Sequence, residues 1–344
     1  MAIDRGAQIH AFLNRIGWSK AQRQRLAGDA SARRYERLSH GPNGAGAVLM
    51  DAPPMTCSTT GAFVQIATFL RAQGFSAPRI LHADLGLGLL LLEDLGDNLF
   101  TRIAQADPQA APGLYDAATD FLIALHNTRP PQDVALLDST ALSAMIGVTY
   151  DWYRPARDPN AKSAAIAALG DALGRLAPCS PVLALRDFHG ENLIWLAKRE
   201  GVTRVGLLDF QDAFLGHPAY DLISLIRDAR HDVPEEIAQR AIKRYLAASG
   251  HDEAAFTHAA ATLAVQRNLR ILGVFARLAL RDAKPVYLAF MPRVWRYLMR
   301  DLAHPDLQEL QAIIRRDLPA PNPEFLQAMR AKCPIHPQTH PMPQ

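Results

Sequence analysis

The segments "LRDFHGENLIW" (residues 185–195) and "VGLLDFQDA" (residues 205–213) decide the expected fold. In the first, Asp187 stands five positions before Asn192 between apolar flanks; in the second, an apolar strand pattern runs into Asp209. Phosphoryl transfer needs a group that orients the acceptor hydroxyl and oxygen ligands for Mg²⁺. The ordered pair of segments therefore predicts a catalytic Asp187 and a metal site formed by Asn192 and Asp209. Taken singly, Asp187 could cap a turn and Asp209 could be an ordinary strand-end aspartate.

The pattern of apolar residues changes from mainly strand-like to mainly helical near residue 98. Before it, strand patterns at 33–38 and 47–50 and a hairpin pattern within 77–94 surround one helix pattern that begins at Thr59 or Thr60. After it, helical periodicity dominates and is interrupted by a hairpin that turns at Glu200 and Gly201. The pattern predicts an α+β fold of two lobes. We expect an N-terminal nucleotide-binding lobe at 1–95, a C-terminal catalytic and substrate-binding lobe at 96–332 and a loose tail at 333–344.

Composition excludes several other classes of protein. Apolar residues make up 49% of the 344 residues, which favours a globular chain, and a net charge of +3 is too small to indicate nucleic-acid binding. The cysteines Cys57, Cys179 and Cys333 stand far apart without a CxxC pair, which favours a reducing compartment. The N-terminus lacks the apolar core of a signal peptide, and no apolar run is long enough to cross a membrane. We expect a cytoplasmic protein with no membrane insertion, no nucleic-acid partner and no obligate protein partner.

Three motifs carry a family resemblance. "DFHGEN" (187–192), "LLDFQDA" (207–213) and "GHPAYDLISLI" (216–226) resemble the aminoglycoside phosphotransferase and choline kinase-like superfamily. The resemblance implies a bilobal protein-kinase-like fold, with a small β-rich N-lobe that has one main helix and a larger, mainly helical C-lobe. It also implies ATP and Mg²⁺ as cofactors. His189 and Asp221 would then support the catalytic loop structurally.

Further segments narrow the resemblance. "GDASARRYERL" (28–38), "VLMDAPP" (48–54) and "LLLEDLGD" (90–97) resemble the bacterial anomeric kinases of N-acetylmuramate and N-acetylglucosamine, and the likeness runs from about residue 8 to about residue 300. It implies a small amino-sugar substrate phosphorylated on its C1 hydroxyl, in peptidoglycan recycling. Two alternatives remain: a kinase of another alcohol, such as an aminoglycoside, choline, homoserine or thiamine, and a non-catalytic nucleotide-binding pseudokinase.

The pseudokinase alternative is motivated by a missing ion pair. Kinases place a lysine on the third small-lobe strand and a glutamate on the neighbouring helix. Here no lysine lies between Lys20 and Lys162, and Met50 stands near the expected lysine position. If an arginine replaces the lysine, strand alternation puts Arg33 on one face with Arg37 and leaves Arg34 on the other. These arginines could also be solvated charges at a strand edge.

The remaining binding candidates fall into two groups. The predicted nucleotide-binding residues begin with a turn that could offer backbone N–H groups to phosphate, formed by Gly28, Asp29, Ala30 and Ser31. Arg33 and Arg34 follow this turn, and Glu93 and Leu95 form the predicted hinge. Gln65, on the small-lobe helix, could orient the chosen arginine. The predicted substrate-binding residues are Trp152, Tyr153, Arg154, Gln211 and Asp212, where the aromatic pair could instead pack in the core.

Overall fold

The computed structural model describes residues 4–26, 33–155 and 158–336. The chain divides into two compact units, the first formed by Met1–Ala124 with Gly190–Ala213, the second by Leu125–His189 with Phe214–Gln344. Residues 96–124 and 190–213 thus pack with the N-terminal sheet. The predicted boundary at residue 95, between a nucleotide-binding lobe and a catalytic lobe, stays a prediction.

Helices and strands follow one another along the chain with few long connections. In chain order they are α1 (Arg5–Arg15), β1 (Gln22–Arg25), β2 (Arg34–Ser39), β3 (Ala47–Asp51), α2 (Thr60–Ala72), β4 (Ile80–Asp84), β5 (Leu89–Leu92), α3 (Phe100–Ala106), α4 (Ala111–His126), α5 (Ser139–Ala144), α6 (Pro159–Gly174), β6 (Val182–Ala184), β7 (Leu193–Trp195), β8 (Val205–Leu207), β9 (Phe214–Gly216), α7 (Ala219–Ile226), α8 (Glu235–Ser249), α9 (Glu253–Leu280), α10 (Met291–Asp301), α11 (Gln308–Asp317) and α12 (Pro323–Arg330). A short π-helical turn, Thr149–Tyr153, lies between α5 and α6.

The first unit is built on an antiparallel sheet with the strand order β1-β2-β3-β5-β4. Alternate strand residues such as Leu38, Leu49 and Leu91 bury their side chains with Phe12 and Leu13 of α1. This packing buries the apolar residues of one face of the sheet against α1, and in β5 the residues of the other face are buried as well. The strands and the helix predicted from the first hundred residues are confirmed, and β1 is an addition that its polar sequence concealed.

The hairpin of β7 and β8 belongs to the same unit. Leu193 pairs with Leu207 and Trp195 with Val205, and the connection passes through Gly201 at a φ of +52°, which favours glycine. The hairpin is tied to the rest of the unit at Ser76, whose carbonyl accepts from the Leu207 N–H at 3.1 Å. The predicted hairpin and its turn are confirmed.

The second unit is mainly helical, with β6 and β9 as an antiparallel pair. Its long helix α9 begins at an Asp252 cap, which accepts from the Ala255 N–H at 2.8 Å, and packs closely on the π-helical turn. Gly273 permits that approach, because an added Cβ would stand 2.5 Å from the Thr149 nitrogen. Among the described residues, no helix combines the length and apolar content needed to cross a membrane.

Candidate active site

The loop that carries Asp187 lies in the second unit and is held by its backbone. Asp221, in the first turn of α7, accepts from the N–H groups of Leu185 at 2.5 Å and Arg186 at 2.9 Å. Arg186 has a φ of +73°, a left-handed conformation that costs about 1–2 kcal/mol for a residue with a Cβ. The two bonds to Asp221 stabilise this conformation and so fix the direction in which the chain enters Asp187. Leu185, two residues before Asp187, is buried.

Three arginines of the same unit contribute to the charge environment of Asp187. Burial by itself would raise the pKa of its carboxyl, but Arg267, Arg270 and Arg186, together with His189 where that ring is protonated, hold the pKa below the ordinary value. Asp187 is therefore ionised at neutral pH. An ionised carboxylate can accept a hydrogen bond from an acceptor hydroxyl, as the predicted role requires.

His189 lies two residues further on and is buried. Its Nε2 lies 3.3 Å from Nη1 of Arg230, and burial lowers the pKa of the ring, with Asp228 opposing the change. Because a guanidinium only donates, Nε2 accepts and the ring proton resides on Nδ1. A neutral, buried imidazole fits the predicted support role, which stays a prediction.

The two predicted metal ligands leave the same end of the β7–β8 hairpin in the first unit. The ladder continues past Leu193 and Leu207, so that the Asn192 carbonyl accepts from the Leu208 N–H at 2.9 Å and Asp209 follows directly. Asp209 takes a left-handed φ of +56°, which turns the chain out of the strand. Amide and carboxylate oxygens are the donors that Mg²⁺ prefers, so the residues present fit this ion.

A polar network surrounds the Asp209 carboxylate. Its Oδ1 accepts from Arg33 Nη1 at 3.0 Å and from Gln211 Nε2 at 3.1 Å, and the same Gln211 nitrogen donates to Asp212 at 3.0 Å. Arg33 is only 6% exposed and also donates to the Thr59 hydroxyl at 2.6 Å. The first unit therefore brings together the predicted residues Arg33, Asp209, Gln211 and Asp212.

Thr59 is the member of this network that sequence reasoning missed. The sequence suggested it as a helix cap, yet its side chain makes no capping bond to α2 and instead accepts from Arg33. Gln65, the expected orienting residue, is exposed. The orienting contact therefore comes from the residue just before the helix, and the expectation for Gln65 is wrong in this structure.

The other small-lobe arginines have different surroundings. Arg34 is exposed at the start of β2, while Arg37 donates to Asp94 at 2.6 Å and to Asp97 at 2.6 Å. Met50, which stands near the expected lysine position, is fully buried within β3. Of the described arginines 33, 34 and 37, Arg33 is the one bonded to the predicted metal aspartate.

The remaining nucleotide-binding candidates are placed only in part. Gly28, Asp29, Ala30 and Ser31 lie outside the described residues. The Glu93 N–H donates to the Arg79 carbonyl at 2.8 Å, so an adenine contact at Glu93 would use its carbonyl oxygen. Its carboxylate accepts from Arg199 at 2.9 Å. Leu95 is partly buried two residues later.

The predicted aromatic acceptor residues lie on the π-helical turn of the second unit. Tyr153 is buried, donates to the Pro319 carbonyl at 2.7 Å and has its ring 5.0 Å from Phe325. For Tyr153 this is the packing alternative rather than a substrate contact. Trp152 and Arg154 are partly buried, and their substrate role stays a prediction.

Sequence reasoning also missed Arg267 and Arg270 on α9. Both act electrostatically on Asp187, and Arg267 is buried. The signal that could have found them is "AVQRNLRILGV" (264–274), where two arginines three residues apart interrupt an apolar helix. Charged residues are rarely buried in a helix without a partner, which makes the pair conspicuous.

Comparison with known proteins identifies the class to which this fold and site belong. Residues 22–257, more than half of the chain, match the Phosphotransferase enzyme family. The chain belongs to this family and is a phosphotransferase.

Individual relatives are more specific. The chain is 38% identical to a protein of Caulobacter vibrioides named N-acetylmuramate/N-acetylglucosamine kinase, over 93% of this chain and 98% of that protein. A protein of the same name from Pseudomonas aeruginosa is 32% identical over 87% of this chain and 90% of its own length.

Solved structures agree on the fold. A choline/ethanolamine kinase family protein from Mesorhizobium loti superposes with a TM-score of 0.61 at 15% identity, covering 91% of this chain and all of that one. An ADP-bound aminoglycoside phosphotransferase gives a TM-score of 0.60 at 14% identity, covering 89% and 99%. The predicted α+β protein-kinase-like fold is confirmed.

Proposed function

We propose that the protein transfers the γ-phosphoryl group of ATP to the C1 hydroxyl of N-acetylmuramate and N-acetylglucosamine, as a step of peptidoglycan recycling. The observation that carries this proposal is the likeness, along nearly the whole chain, to two relatives named for those sugars. The ionised carboxylate on a backbone-anchored loop supports it, because such a group suits a hydroxyl acceptor.

In the proposed reaction, Asp187 accepts a hydrogen bond from the C1 hydroxyl and orients its oxygen. The bond from that oxygen to the γ-phosphorus forms while the bond from phosphorus to the ADP oxygen breaks, and the hydroxyl proton passes to the Asp187 carboxylate. The low pKa of Asp187 makes it a weak base. Its contribution is therefore mainly positioning, which is what phosphoryl transfer chiefly requires of the protein.

Asn192 and Asp209 are the residues proposed to hold Mg²⁺, which would neutralise phosphate charge when bound. Arg33 is proposed to replace the missing lysine, since its guanidinium can donate parallel bonds to phosphate oxygens. In the structure its partner is Asp209, which the bound ion would compete for. The backbone of 28–31 and the hinge at Glu93 and Leu95 are proposed to receive the rest of the nucleotide.

The test is an acceptor panel with purified protein, ATP and Mg²⁺, in which ADP release is measured. We expect release with N-acetylmuramate and with N-acetylglucosamine. Phosphorylation at C1 also removes the reducing end of the sugar, so a reducing-sugar assay should fall in step with ADP release. ADP release without loss of the reducing end would refute the C1 assignment.

Two other outcomes correspond to the alternatives. ADP release only with an aminoglycoside, choline, homoserine or thiamine would show that this alcohol, and not the amino sugar, is the substrate. ATP binding without turnover of any acceptor would favour a non-catalytic regulator. The motive for this alternative is that the buried Met50 stands near the position where kinases carry a lysine.

A further inference from the structure

A cluster of arginines surrounds Asp187 in the second unit. Arg186 precedes it on the loop, and Arg267 and Arg270 lie on α9, and all three act electrostatically on its carboxyl. Arg270 is itself within range of Arg186 and Arg267: burial, together with repulsion from both, lowers the pKa of its guanidinium. Three cations thus share one small region beside the predicted catalytic carboxylate.

The elements that carry these arginines are rigidly held. On α9, the Leu269 carbonyl accepts from the Thr149 hydroxyl at 2.5 Å, and Gln266 donates to the Leu142 carbonyl at 2.9 Å. Gly273, one turn beyond Arg270, lies in close contact with the π-helical turn. The arginine side chains therefore start from a backbone that cannot shift easily, as a preorganised binding site requires.

Acidic groups also lie within electrostatic range of the cluster. Among the described residues they include Asp187 and Asp221, with the Tyr220 phenol beside them. Both oxygens of Asp221 accept from backbone N–H groups, and burial raises its pKa to about 7. Asp221 therefore serves the loop backbone with both of its carboxylate oxygens.

Arg267 and its neighbour Asn268 are buried with incomplete hydrogen bonding among the described residues. Arg267 is 5% exposed, and its Nη1 is buried with no hydrogen-bond partner among the described residues. The neighbouring Asn268 is also buried, and neither its amide nitrogen nor its amide oxygen has a partner there. Leaving such groups unbonded is costly, so their presence points to a bound group that bonds them.

We propose that Arg267 and Arg270, with Arg186, form an anion subsite beside Asp187 that binds the carboxylate of an acidic sugar acceptor. The proposal rests on the proposed function and deepens it. A guanidinium fork matches a carboxylate in geometry and charge. N-acetylmuramate carries a lactyl carboxylate on O3, whereas N-acetylglucosamine has a hydroxyl group there. The two sugars are therefore a matched pair that differs in the group this subsite would recognise.

A second source of oxyanion chemistry is the transferred phosphoryl group. The transferred phosphoryl group is the same in the reactions of both sugars. Replacing an arginine that binds it would therefore lower kcat/KM for both sugars to the same extent. The ratio of kcat/KM for the two acceptors separates the two roles, because only carboxylate recognition changes that ratio.

The test compares the wild type with Arg270→Gln and Arg267→Gln, using Arg277→Gln as the matched control. Arg277 lies on the same helix, and the charges that act on its guanidinium are those of Arg281 and Asp282. We expect Arg270→Gln to lower kcat/KM for N-acetylmuramate about 10- to 100-fold more than kcat/KM for N-acetylglucosamine, mostly through KM. Any effect of Arg270 on the Asp187 carboxyl is common to both sugars and does not change that ratio. Arg277→Gln should change kcat/KM for neither sugar. Thermal unfolding of each variant checks that it is folded. Because Arg270 is less buried than Arg267, Arg270→Gln remains informative even if Arg267→Gln does not fold.

Equal losses for the two sugars would overturn the proposal in favour of a phosphoryl contact, and no loss for either would exclude a subsite. Calorimetric binding of N-acetylmuramate without ATP separates this inference from the proposed function. If the wild type phosphorylates neither sugar, the proposed function fails. Binding that Arg270→Gln weakens would then still support the subsite, and absence of wild-type binding would overturn it as well.

Discussion

Replacing Arg33 should impair the use of ATP far more than replacing Arg34. Arg33 is buried and donates to Asp209 and Thr59, whereas Arg34, its neighbour in sequence, is exposed at the start of β2. If Arg33 contacts phosphate when the nucleotide is bound, Arg33→Ala removes at least one charge-assisted hydrogen bond from the reacting complex.

Such a bond contributes about 1.5–3 kcal/mol, which corresponds to a loss of about 10- to 150-fold in kcat/KM for ATP. The effect on stability should be smaller. The Asp209 side chain is 42% exposed, so solvent screens its ion pair with Arg33, and we expect the free energy of unfolding to fall by about 1 kcal/mol. Arg34→Ala should change kcat/KM less than about 2-fold.

The assay is ADP release at varied ATP with saturating sugar, for the wild type, Arg33→Ala, Arg33→Lys and Arg34→Ala. Lysine retains the charge but not the fork, so Arg33→Lys should recover only part of the loss. Urea unfolding of each variant shows whether the fold is intact. An Arg34→Ala defect equal to or larger than that of a folded Arg33→Ala would refute the reasoning.

Three further predictions concern the second unit. Asp187→Asn should lower kcat by about 10³-fold and keep ATP affinity within about 3-fold, measured by turnover and calorimetry; normal turnover would disprove its role. Asp221→Asn, which places an amide NH₂ against a backbone N–H of Leu185 or Arg186, should lower kcat about 10-fold or more; an unchanged kcat would show that these bonds do not position the loop. Burial lowers the pKa of His126 to about 3 in the folded protein. In the unfolded chain this residue takes up a proton below about pH 6.5, so the free energy of unfolding falls as the pH is lowered past that value. The stability gap between the wild type and His126→Gln should therefore narrow by about 2 kcal/mol from pH 7 to pH 5 in urea titrations, and a constant gap would contradict this.

Elements with strong local signals were predictable from the sequence. The apolar stripe of α2 and the apolar run of β3 are recorded in consecutive residues, and so is the glycine turn before β8. The spacing of Asp187, Asn192 and Asp209 predicted a phosphotransferase, and the family match confirms that class.

Features that depend on where an element begins, or on distant packing, were not predictable. Strand alternation placed Arg33 with Arg37, but β2 begins at Arg34, so the alternation does not extend to Arg33. Arg33 turns to Asp209 and Arg37 to Asp94 as a result. Likewise, no local signal says that Arg267 lies beside Asp187, because that proximity depends on how α9 packs within the second unit.

The absence of a small-lobe lysine has a consequence for chemical labelling. Acyl-phosphate derivatives of ATP tag kinases by acylating a primary amine next to the bound phosphates. No lysine lies between Lys20 and Lys162, Met50 stands near the expected position, and the guanidinium of Arg33 stays protonated and is a poor nucleophile. We therefore expect proteome surveys that rely on such probes to overlook this enzyme, and lysine-directed covalent inhibitors of other kinases to spare it.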